Sequence, residues 1–136
     1  MTQATARTTG VRISTRKVRL VADAIRNMKV TAALQLLATT QKHGASVLIK
    51  TLQSAVANAL QKGATDEASL QIIQLEVDGG PTLRRMHVGS RSHMRPYTKR
   101  SSHVRIVVSD MKDVSKETKE PEEKKETKEE KKGDSK

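Results

Sequence analysis

Apolar residues along the chain follow two different rhythms. After Ser14, the residues Val18, Val21, Ala22 and Ile25 recur every three or four positions, the period of a helix with one buried face. Ser14 is a candidate N-cap. The spacing predicts a helix over about 15–28, with Arg16, Arg19 and Arg26 on its opposite side. Thr31 is a candidate cap for a second, short helix with Leu34, Leu37 and Ala38 inward. A third helix is predicted over about 45–62. Its stripe is Ala45, Leu48, Ile49, Leu52, Ala55, Val56, Ala59 and Leu60, with Gly63 as its stop signal. The many alanines in that stripe permit close approach to a sheet or a neighbouring helix.

Beyond Gly63 the rhythm shortens to two. Ile73, Leu75 and Val77 alternate with Gln74, Glu76 and Asp78, and Val104, Ile106 and Val108 repeat the alternation. Both read as half-buried strands, and residues 8–13 offer a third. Residues 79–103, between the two firm strands, are poor in apolar side chains. Two antiparallel limbs of about 12 residues would reach roughly 40 Å. An isolated two-stranded ribbon is marginal in water, so this arm is expected to depend on a partner.

The charge identifies the kind of partner. The 136-residue chain has a formal net charge of +11. Its last stretch, residues 112–136, carries nine Lys and nine acidic residues with Val114 as the only apolar side chain, and is expected to be a disordered, net-neutral tail. Residues 1–111, the folded unit, therefore hold the whole surplus. It is concentrated in two places. From Arg7 to Lys29 seven cations face Asp23 alone, and from Arg84 to Arg105 seven cations, mostly Arg, occur with no acid. A cationic arm without counter-charges is built for a polyanion, and guanidinium groups suit phosphate.

Several classes of chemistry are excluded or unsupported. Without Cys there is no disulfide, thiolate metal site or Cys nucleophile. His43, His87, His93 and His103 form no metal-binding motif, Gly79-Gly80 is not followed by a phosphate-loop lysine, and no GxSxG elbow occurs. No paired general acid and base can be identified among Asp23, Asp66, Glu67, Glu76, Asp78 and Asp110. Neither a cofactor nor a metal is expected, nor is catalysis. Tyr97 is the only aromatic among Phe, Trp and Tyr, which argues against modules that stack bases on aromatic platforms. The histidines of the arm read as hydrogen-bonding or stacking partners for RNA. No apolar run approaches the roughly 20 residues that cross a bilayer, and the N-terminus has no apolar secretory core. A cytoplasmic protein without a membrane partner is expected. A DNA-architectural protein with a basic β-arm is the runner-up, with Met94-Arg95-Pro96 as its candidate wedge.

Four ordered segments carry a resemblance. Arg12-Ile-Ser-Thr-Arg-Lys17-Val-Arg19-Leu-Val-Ala-Asp23, Ser54-Ala-Val-Ala-Asn58-Ala, Val77-Asp-Gly-Gly-Pro81 and Lys99-Arg-Ser-Ser-His103-Val-Arg-Ile-Val-Val-Ser-Asp110 resemble, in order and separation, the bacterial form of large-subunit ribosomal protein family twenty-two. The resemblance spans about residues 11–110. It implies an α+β fold, with three helices packed on a small antiparallel sheet and a long protruding β-hairpin at about 79–103. It also implies a structural constituent of the large ribosomal subunit that binds 23S rRNA and assists assembly. Neighbouring ribosomal proteins would be partners. The hairpin tip would line the exit tunnel beside the nascent peptide.

Carried over position by position, the resemblance makes Arg12, Lys17 and Arg19 rRNA-binding at the N-terminal motif. Arg84 and Arg85 do so at the base of the hairpin, and Lys99, Arg100, Ser102 and His103 on its return. At the tip, Gly89-Ser90-Arg91-Ser92-His93 departs from the family's Arg-Ala-x-Gly-Arg run. Arg91, His93 and Arg95 supply the polar groups there, and Gly89 is expected to supply the positive φ of the turn.

Overall fold

The computed structural model describes residues 3–64 and 66–110, without the side chain of Ser92. The expected tail, residues 112–136, lies outside the described residues. Strand β1 (Gln3–Val11) leads into helices α1 (Thr15–Ile25), α2 (Val30–Thr39) and α3 (His43–Gln61). Strands β2 (Leu70–Gly79), β3 (Leu83–Val88), β4 (Met94–Lys99) and β5 (Ser102–Asp110) follow. The sheet has the order β1-β5-β2 with both pairings antiparallel, while β3 and β4 form a separate two-stranded ribbon. This is the expected α+β arrangement of three helices on a small sheet.

Helix α3 crosses the sheet with Ala45, Leu48, Leu52, Ala55, Val56 and Ala59 buried, against Ala4 and Ala6 of β1 and the inward side chains of β5. The methyl side chains on both elements let helix and strand approach closely. Leu60, placed by its spacing in the same stripe, is 41% exposed at the last turn. Thr51 is buried, yet its hydroxyl is satisfied by Val47 O (2.9 Å) and Thr8 Oγ1 (2.8 Å). Such pairing removes the desolvation cost a lone buried hydroxyl would carry.

Two local departures from the periodic reading have clear causes. Helix α1 stops at Ile25 rather than near 28, because Asn27 takes a positive φ of 59° and the chain turns to run beside β2. There Met28 O accepts the Ile72 N–H (3.0 Å), and Lys29 bridges Gln71. In β2 the strict alternation fails at Ile73, which is 39% exposed, while Leu70, Ile72, Leu75 and Val77 are buried. The register on β5 slips between Ile72 and Gln74. This β-bulge inverts the inward phase at mid-strand, so two short alternations share one face. Ser14 and Lys29 occupy the N-cap positions of α1 and α2 without a side-chain cap, and Thr31 lies inside α2.

Strand β2 is an edge strand, and its open side is covered by guanidinium groups from α1. Arg19 donates from Nε and Nη2 to Val77 O (3.0 and 2.7 Å). Arg26 donates to Leu75 O (3.1 Å) and to Asp23 (3.0 Å). Free edge carbonyls that would template another strand are thereby occupied.

The arm differs from a continuous 12-residue hairpin. Its paired limbs are six residues each, from Leu83 opposite Lys99 to Val88 opposite Met94, which corresponds to roughly 20 Å of ribbon. Between the sheet and the ribbon is a root at Gly80–Thr82 and Arg100–Ser101, closed by Gly80 N–H to Ser101 O (3.0 Å) and by Ser101 Oγ–H to Pro81 O (2.6 Å). A Cβ on Gly80 would stand 2.5 Å from Ser101 Oγ and 3.2 Å from the Ser101 carbonyl carbon, whereas one on Gly79 would meet nothing.

Two outcomes follow. Gly80→Ala should destabilise the protein by about 1–3 kcal/mol through overpacking at the root, while Gly79→Ala should be neutral within about 0.5 kcal/mol. Paired urea titrations of the two variants check this. Arg19→Met should cost about 1 kcal/mol, the lower end for a charge-assisted hydrogen bond because the guanidinium is exposed. The same titration reads it against the parent chain.

Candidate nucleic-acid interface

Seventeen residues line an open groove of about 1050 Å³ between the arm root, the β1–α1 turn and the start of α3. Its cations come from three directions. Arg12 and Lys17 come from the turn and first turn of α1, Lys42 from the α3 entry, and Arg85, Lys99 and Arg100 from the arm. None of the lining residues is acidic. The ion pairs seen, Arg26–Asp23 and Arg105–Glu76, lie in the body. Six like charges around one groove raise the local potential and have no internal relief.

Helix α3 adds to this field. Its N-terminal residues His43 and Gly44 line the groove, its N-cap Lys42 makes no side-chain cap, and its first turn has no acid. The positive dipole end of a 19-residue helix therefore borders the groove, with the Ala45 N–H taken by Lys42 O (2.8 Å).

Five of the expected rRNA-binding residues are thus gathered: Arg12, Lys17, Arg85, Lys99 and Arg100. Others are placed elsewhere. Arg84 points to the opposite face of the ribbon from Arg85, as alternation along β3 requires. Arg91, His93 and Arg95 lie at or beside the tip and are exposed. Arg19 is exposed but its guanidinium is bound to Val77 O.

Ser102 and His103 are placed at the root of the arm, where β5 begins. Ser102 is fully buried and its Oγ has no partner, so its hydroxyl is closed to any external phosphate. His103 Nδ1 accepts the Gly10 N–H (3.0 Å), which ties the positive-φ bulge of β1 to the arm root.

The tip turn is built differently from expectation. Gly89 has a φ of −98°, and Arg91 carries the positive value, 56°. Gly89 is used for closeness instead. Its N–H reaches His93 O at 2.7 Å, and a Cβ there would stand 3.0 Å from that oxygen.

Two groove residues, Lys42 and His43, and one pairing, His87 with Tyr97, were not legible in the sequence. Lys42 and His43 sit in a segment that reads only as a helix entry, and their nearness to the arm is purely tertiary. His87 and Tyr97 lie on different strands, yet their rings stack with centroids 4.3 Å apart and planes at 17°. The β3–β4 register contains the signal, since it sets them diagonally on one face.

Among the described residues no three of His, Asp or Glu gather into a metal-sized cluster, and no helix is long and apolar enough to cross a membrane.

Comparison with known proteins agrees with the geometry. Residues 6–109 match the family described as Ribosomal protein L22p/L17e. Large ribosomal subunit protein uL22 of Mesoplasma florum is 47% identical over 102 residues, covering 74% of this chain and 89% of the relative. Those of Mycoplasma capricolum and Lacticaseibacillus casei are 45% and 41% identical, covering 81% of this chain and 99% and 94% of theirs. With three helices on an antiparallel sheet, a cationic arm and a match over nearly all described residues, this chain belongs to the ribosomal protein L22p/L17e family, whose members are structural ribosomal proteins and not enzymes.

Proposed function

We propose that the protein is a constituent of the large ribosomal subunit, in the cytoplasm, that binds and organises 23S rRNA. One observation carries this reading: the acid-free groove continues directly into an acid-free arm. The body presents Arg12, Lys17 and Lys42 from one side and the arm presents Arg85, Lys99 and Arg100 from the other. An RNA backbone lying in the groove would neutralise both and fix the angle at which the arm leaves the sheet. Arg84, Arg91, His93 and Arg95 continue the contact outward along the ribbon. Recognition is of backbone and shape, because the side chains on offer are phosphate-binding ones.

The resemblance to the bacterial family supports a finer placement. The arm threads between rRNA segments, its contacts help early assembly, and its tip faces the nascent peptide near neighbouring ribosomal proteins. The exposed ribbon is consistent with that role, since every residue of β3 is exposed.

The protein should bind rRNA fragments with about eight phosphates engaged, so that log K falls with log salt at a slope of roughly −5 to −7. A nearly flat dependence would refute the reading. Removing single groove charges separates binding from folding. Lys42→Ala and Arg12→Ala should each reduce the slope magnitude by about 1 and weaken binding uniformly across RNA sequences. The melting temperature of the free protein should stay the same or rise, because like-charge repulsion is relieved. Filter binding across a salt series and thermal melts measure both.

A further inference from the structure

We infer that the His87–Tyr97 stack is a docking platform for one unpaired nucleobase of RNA, flanked by Arg95 and Arg85 as phosphate contacts. The inference rests on the RNA-binding reading and goes beyond it by naming a nucleotide state and a subsite.

Strand register builds the platform. Along the ribbon Tyr97 lies directly opposite Arg85, and His87 directly opposite Arg95. Directly opposed residues share a face, so all four side chains emerge together. The two rings occupy the diagonal and stack nearly parallel, 4.3 Å between centroids and 17° between planes. The opposite face of the same ribbon carries Met86, Val88, Met94 and Pro96. Both rings and three of the four strand cations, Arg85, Arg95 and Lys99, therefore share one side, with Arg84 on the other.

The platform is open. His87 is exposed and Tyr97 is half-buried, and every residue of β3 faces solvent. Each ring covers one face of the other, leaving the outer ring faces for a third planar group. A base is the planar group that arrives with a phosphate on either side, and Arg95 and Arg85, directly opposite the two rings in the register, are the residues placed to receive those phosphates. Paired bases are already stacked above and below, so an unpaired or splayed-out nucleotide is the form that can extend this stack. An aromatic pair serving only to stiffen the ribbon would work equally well without arginines across from both members.

Tyr97 makes a clean test possible. It is the only Tyr, and there is no Trp or Phe, so intrinsic emission of the full chain reports this position alone. Three probes of equal length, about ten nucleotides, are titrated at low salt: a mixed-sequence single-stranded RNA, the same strand without bases, and its duplex. The single strand should quench Tyr97, and the abasic strand and the duplex should not. His87→Ala should lower affinity for the single strand about tenfold, within the range for losing one stacked base, with affinity for the abasic strand unchanged. His87→Phe should keep the affinity, which separates loss of a platform from loss of the fold. The inference is overturned if the abasic strand or the duplex quenches as strongly, or if His87→Ala weakens both strands alike or neither. If the unmodified chain binds none of the three probes in a salt-dependent way, the RNA-binding reading itself has failed, a result distinct from the others.

Discussion

Strand β5 is the constraint on which the rest of the fold depends. It is the middle strand of β1-β5-β2, hydrogen-bonded along both edges, with Val104, Ile106 and Val108 fully buried. Its partner β1 comes from the other end of the sequence, with Gln3 opposite Ser109 and Ala6 opposite Ile106. Closing a pairing across about a hundred residues is entropically slow, so the sheet is completed only once the whole folded unit exists. The arm is inserted between β2 and β5. Its return limb runs straight into the most constrained strand of the protein, and any change in arm direction must be absorbed at Arg100 and Ser101. Gly80, Pro81 and His103 surround that pair, and their close contacts and hydrogen bonds resist such a change.

The cations divide into two populations that composition cannot distinguish. Arg19, Arg26 and Arg105 are engaged by Val77 O, Leu75 O and Glu76. They stitch α1 to an open strand edge and pair two strands across the sheet surface. The cations of the groove and the outer arm form no ion pair among the described residues. The first population makes the platform rigid, and the second presents charge from it. A groove with three of its walls on the body and arm root can hold its charges apart in a fixed pattern, which loose lysines on a flexible tail cannot do. The N-terminal end of α3 fits the same logic, since an acidic cap there would have stabilised the helix while cancelling part of the field.

Much of this was legible because period and charge are local properties. The α1 and α3 stripes gave helices of the right phase, the alternation around Leu75 and Ile106 gave strands, and the acid-free run from Arg84 to Arg105 marked the arm. What escaped was decided by tertiary geometry. Ile73 reads as inward on alternation alone, and only the bulge against β5 turns it out. Asn27 ends α1 early because Met28 and Lys29 have a strand edge to meet. Gly89 looked like the positive-φ residue of the tip, but the turn needs it for its lack of a Cβ, and Arg91 takes the left-handed conformation. Ser102 matched a binding motif and is nevertheless buried. Counting aromatics missed the His87–Tyr97 pair, because histidine is left out of such counts and the diagonal exists only once the register is set.

The charge that makes the free ribbon costly also protects it. Both β3 and β4 are edge strands, and one face of the ribbon exposes Met86, Val88 and Met94 at 68%, 78% and 64%. A short two-stranded edge with an apolar face is the kind of surface that pairs with copies of itself. Here the other face holds Arg85, Arg95 and Lys99, and Pro96 removes one backbone donor from β4. Two such arms brought edge to edge would set like charges within a few ångströms of each other, with no acid on either arm to screen them. The ribbon is therefore poorly suited to another protein arm and well suited to a polyanion, which supplies the missing counter-charge along its length. Under the proposed RNA-binding role, stability in isolation and selectivity for the partner are set by the same side chains, which the body holds at the root of the arm.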